Sequence, residues 1–75
     1  MNNKYYFTFG SNKGFPYQNG YVIVIANSLG EAIEKFRKKF PDRNKNIVNC
    51  AFWYTQEHWD NTGMEKSYLC YETIE

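Results

Sequence analysis

The sequence predicts an α+β domain, a four-stranded and mainly antiparallel sheet with one amphipathic helix across one face. Three observations lead there. Tyr5, Phe7 and Phe9 alternate with Tyr6 and Thr8, the period of a strand. The run Tyr21-Val22-Ile23-Val24-Ile25-Ala26 is β-branched and apolar on both faces, as a central strand requires. A capped apolar stripe at helical spacing follows from Ser28. With 75 residues, 43% of them apolar, the chain forms one domain near the lower size limit for a single core.

Taken in order, the first strand ends in a loop from Gly10 to Gly20, and Asn19-Gly20 signals the turn into the second strand. In Ser28-Leu29-Gly30-Glu31 the spacing is that of a capping box, with Ser28 accepting from the Glu31 amide while Glu31 reaches back. Leu29, Ala32, Ile33, Phe36 and Phe40 form the helix stripe, and Pro41 ends it. Ile47 to Tyr54 reads as a third strand, with Val48, Cys50, Phe52 and Tyr54 on one face and Ile47, Asn49, Ala51 and Trp53 on the other. Thr55 to Gly63 reads as a capped helical turn, with Thr55 as N-cap and Gly63 at the exit. Ser67 to Ile74 reads as a fourth strand. The helix between Ile25 and Ile47 allows strands two and three to be parallel through a right-handed crossover.

One helix of about three turns covers one face of such a sheet. Tyr6, Tyr21, Trp53, Tyr54, Tyr68 and Tyr71 exceed what it shields, so the second face needs its own cover. The 55–63 segment, a second subunit or a ligand would serve. A homodimer is the first expectation, because it also enlarges a small core.

Composition removes several classes of function. Nine Lys and Arg against eight Asp and Glu leave a net charge of +1, no global case for nucleic acid or an anionic membrane. The two cysteines make no disulfide framework. No apolar leader precedes the first strand, and no apolar run is long enough for a bilayer. A cytoplasmic location with reduced thiols is expected.

The chemistry-bearing residues are few. Lys35, Arg37, Lys38, Lys39, Arg43 and Lys45 hold six of the nine cations. Glu31 and Glu34 pair with Lys35 and Lys38 at i,i+4, which leaves Arg37, Lys39, Arg43 and Lys45 as the uncompensated patch a nucleic-acid module would use. His58, Cys50 and Cys70 lack the spacing of a nucleophile–base pair or a metal set, so no catalytic residue, metal ligand or cofactor is assigned. Gly10 to Gly14 has the composition of an anion nest around Lys13 but neither a Walker nor a dinucleotide pattern. Trp53, Tyr54, Glu57, His58 and Trp59 are the remaining cluster, aromatic anchors with an acidic rim suited to a protein partner.

With the opening Tyr6-Phe7-Thr8-Phe9-Gly10-Ser11, the valine/isoleucine strand, the helix segment "EAIEKF" and the segment "FWYTQEHW" in this order, the chain resembles a group of short proteins from Gram-positive bacteria and their phages. The resemblance carries no functional residue. It implies a context, in which small phage proteins act stoichiometrically on a host target. The expectation is therefore a non-enzymatic binding protein, an inhibitor of host defence in the manner of an anti-CRISPR, with Lys13, Trp53, Tyr54, Glu57, His58 and Trp59 at the interface. A nucleotide-sequestering sponge and a nucleic-acid module are the alternatives.

Overall fold

The computed structural model describes residues 3–44 and 47–75. Its elements are β1 (Asn3–Phe9), β2 (Gly20–Ala26), α1 (Leu29–Lys39), β3 (Phe52–Thr55), α2 (Gln56–Thr62) and β4 (Leu69–Ile74), with a 3₁₀ turn at Met64–Lys66 before the last strand. The sheet order is β3-β1-β2-β4. β1 is antiparallel to both β2 and β3, whereas β4 runs parallel to β2. The α+β class is as expected, and the capped turn expected at 55–63 is the helix α2, but the sheet is mixed rather than mainly antiparallel. β2 and β3 do run in the same direction, with β1 inserted between them.

α1 forms where its local signals place it. Ser28 Oγ accepts from the Glu31 amide at 3.2 Å, and Glu31 Oε1 accepts from the Asn27 amide at 3.3 Å, one residue before the expected cap. That backbone donor and the Lys35 ammonium, opposed by some desolvation, hold the Glu31 carboxyl below its ordinary value. Besides pairing with Glu31, Lys35 donates from Nζ to the Ile25 carbonyl at 2.8 Å, tying the helix to β2. The helix stripe closes over Tyr5, Phe7, Phe9, Val22, Val24 and Ala26, with Phe36 stacked on Phe7 at 4.4 Å between ring centres.

Two boundaries differ from the sequence reading. The third strand begins at Phe52, not Ile47. Before it the chain turns, with Ile47 bridged to Asn44 and the Cys50 amide donating to the Val48 carbonyl at 2.8 Å. The turn tucks Val48 and Cys50 against the α1-side core, so their alternation is that of a turn with two buried corners. β4 starts at Leu69, because Ser67 and Tyr68 are used in closing the 3₁₀ turn on Met64.

The first loop is held by its own polar groups. Asn12 Oδ1 accepts from the Gly14 amide at 2.8 Å, Gln18 Nε2 donates to the Asn12 and Phe15 carbonyls, and the Asn19 amide donates to Gly10 at 2.9 Å. Asn19 adopts a φ of 53°, and Gly20 follows beneath the Leu69 carbonyl and the Tyr71 ring, where a Cβ would collide. Tyr17 stacks on Tyr71 at 4.4 Å and donates its hydroxyl to Glu72 at 3.1 Å, so the loop is packed against β4.

Candidate functional site

The register sets the second face. Tyr6 lies opposite both Ile23 and Tyr54, and Thr8 lies opposite both Tyr21 and Phe52, so these side chains share the side away from α1. α2 covers the centre of that face. Thr55 is at once the last residue of β3 and the N-cap of α2, its Oγ1 accepting from the His58 amide at 3.3 Å. Gly63 ends the helix in the left-handed conformation at φ 69°.

One turn into α2, Trp59 stacks on Tyr6 with ring centres 4.7 Å apart and planes 5° from parallel, and it also meets Tyr21 and Tyr54. Tyr6 donates its hydroxyl to Gln56 Oε1 at 3.0 Å, and Gln56 Nε2 donates onward to Asp60 at 2.9 Å. Burial raises the Tyr6 phenol above its ordinary value, against the lowering effect of the Gln56 bond, and burial also raises Tyr21 and Tyr54.

This arrangement corrects the expected interface. Trp59 is 2% exposed, so the fold has taken it and it is not a surface anchor. The ground for placing a second subunit over the centre of this face goes with it, since Tyr6 and Thr8 are buried within one chain. Lys13 sits in the loop beyond the Phe9 end of β1, whereas α2 starts beside Tyr5, so Lys13 is not brought together with Glu57 and His58.

What remains together is an aromatic strand edge. Among the described residues β3 pairs only with β1. Trp53 lies opposite Phe7 on the α1 side and is 37% exposed, while Phe52 on the α2 side is 49% exposed. Tyr54 is half-buried between Phe52 at 4.7 Å and His58 at 4.8 Å, both edge-on, and His58 and Glu57 are exposed. The sequence reading did not include Phe52 among the candidate site residues. An unbroken third strand puts it with Val48 and Cys50 on one face, but the turn at 47–51 changes the phase, so Cys50 faces the α1 core and Phe52 faces the other way.

The other candidates separate. Arg37 pairs with Asp42 at 3.1 Å and Lys39 pairs with Glu72, so two members of the supposedly uncompensated basic patch are compensated. Lys45 lies outside the described residues. Arg43 stands alone over the Phe15 ring, 5.6 Å from its centre. Cys50 is buried, and burial pushes its thiol up to about 12, so it is a neutral wall group and no nucleophile. Cys70 is exposed on β4 opposite Tyr21, on the other side of the sheet. Among the described residues no group of three His, Cys, Asp or Glu side chains could hold a metal, and no helix is long and apolar enough to cross a membrane. No protein-family model matches the chain, and no curated protein or solved structure does either.

Proposed function

We propose that the chain is a non-enzymatic binding protein that takes an extended segment of a protein partner along β3. One observation carries this reading: among the described residues β3 is a sheet edge, Phe52-Trp53-Tyr54-Thr55, with no charge, proline or bulge, so that its short length is the one guard it has. Unguarded edges offer unpaired amides and carbonyls to another chain, and charge, proline or a bulge normally blocks them. The opposite edge illustrates the contrast, since β4 carries Glu72 and a register irregularity at Tyr71. A partner strand added to β3 would gain main-chain hydrogen bonds, with Trp53 and Phe52 gripping its side chains from either face. Because β3 is only four residues long, the ladder is short and the aromatic rings supply most of the affinity. Glu57 and His58, exposed on the first turn of α2, form a polar rim. In the context implied by the resemblance, the partner is a host protein and the effect is inhibition by masking.

The test compares partners captured from a host lysate by the wild type and by Phe52→Glu and Trp53→Glu, both altered at exposed positions. Capture lost in these variants and kept in Lys13→Glu is the expected result. Capture indifferent to both β3 changes overturns the reading. So does a self-associated wild type, seen by light scattering, that Trp53→Glu converts to monomers, because a second copy would then occupy the strand.

A further inference from the structure

Phe15 of the first loop meets residues 43, 44 and 47–50 around a cavity of about 210 Å³. Phe15, Ile47, Val48 and Cys50 give it apolar walls, and Arg43, Asn44 and Asn49 complete the lining. We infer that this cavity binds a small aromatic carboxylate, with Arg43 holding the carboxylate. The inference is independent of β3, which forms no part of the cavity.

Charge comes first. No acidic residue lines the cavity, and the neighbouring Asp42 is engaged by Arg37 at 3.1 Å. Among the described residues Arg43 has no carboxylate partner within 4.0 Å. Its guanidinium is nevertheless placed, lying over the Phe15 ring and directly against Gly14, where any side chain would collide with it. A guanidinium stacked on a ring keeps its edge N–H groups available, and two of them match the two oxygens of a carboxylate. The Cys50 thiol stays protonated through the physiological range, so no negative wall opposes the anion.

Shape comes second. Ligand pockets for drug-sized molecules run to roughly 300–1,000 Å³, so this cavity suits a single ring and is too small for a nucleotide. The walls beside Arg43 are an aromatic ring, two branched aliphatic side chains and a sulfur, which favour a flat apolar body over a hydrated ion.

The experiment titrates the ¹⁵N-labelled protein with benzoate, each of its three monohydroxy isomers, and inorganic phosphate. Saturable amide shifts at Gly14, Phe15, Arg43, Asn49 and Cys50 at millimolar benzoate or hydroxybenzoate are expected. Arg43→Gln, at an exposed position, should weaken binding roughly tenfold or more, and Arg43→Lys should recover only part of it because the fork is lost. Gly14→Ala, which leaves every charge in place but dislodges the guanidinium, should also weaken binding. Shifts that do not saturate, that are equal for phosphate, or that survive Arg43→Gln overturn the assignment.

Discussion

Replacing Trp59 by alanine tests whether α2 closes the second face of the sheet or only rests beside it. The indole is 2% exposed and touches Tyr6, Tyr21 and Tyr54. An aromatic side chain of this size buries roughly 150–250 Å². At about 25 cal/mol per Å² that is on the order of 4–6 kcal/mol of transfer free energy, and measured Trp→Ala changes cost about 3–5 kcal/mol. Domains carry roughly 0.05–0.15 kcal/mol of stability per residue, or about 4–11 kcal/mol for 75 residues. Trp59→Ala therefore removes about a quarter or more of the total, and at the lower end of that range leaves the protein at the edge of folding. Trp59→Phe retains a ring against Tyr6 and should cost less than half as much. Urea unfolding followed by circular dichroism reads both. A loss under about 1 kcal/mol for Trp59→Ala, with an unchanged m-value, would refute the role given to α2.

Three further outcomes follow from the structure. The Cys50 thiol ionises near 12 in the fold against an ordinary value of 9.0, so the folded state binds its proton more tightly; this share of stability is intact below about 9 and falls as pH rises toward 12, by up to about 1.4 kcal/mol per unit. Cys50→Ala should flatten that alkaline slope relative to the wild type, and in the native wild type at pH 8 a thiol reagent should modify Cys70 quickly and Cys50 only on unfolding. Gly20→Ala drives a Cβ into the Leu69 carbonyl and the Tyr71 ring, and should cost about 1–3 kcal/mol in urea while accelerating hydrogen exchange in β4 ahead of β1. Thr55→Ala removes the cap of α2 and should cost about 1 kcal/mol, with Thr55→Ser close to neutral in the same unfolding assay.

Locally encoded elements were legible. Ser28, Glu31, the apolar stripe and Pro41 define α1 without reference to anything distant, and Thr55 with Gly63 does the same for α2. The alternation of β1 and the Asn19-Gly20 turn gave the first hairpin. What escaped the sequence depends on contacts far along the chain. A strand and a turn with buried corners leave the same alternating trace at Val48, Cys50, Phe52 and Tyr54, and only the link from the Ala51 amide to Thr8 shows where pairing begins. The parallel seat of β4 depends on the path from Gln56 to Tyr68, which local propensity does not constrain. At the site the same division holds. Trp53, Tyr54, Glu57 and His58 were found because aromatic and acidic residues are adjacent in sequence. Trp59 was counted with the interface residues although Tyr6 takes it into the fold, and Arg37 and Lys39 were taken as free although Asp42 and Glu72 neutralise them.

No residue separates β3 from α2, since Thr55 belongs to the strand and caps the helix. The junction consequently has no slack, and a small rotation of the strand turns the helix like a crank. The far end of that crank is Trp59, held flat against Tyr6. If a partner strand docks on β3 as proposed, the stacked indole should feel it, and a change in the optical signal of Trp59 would report the docking.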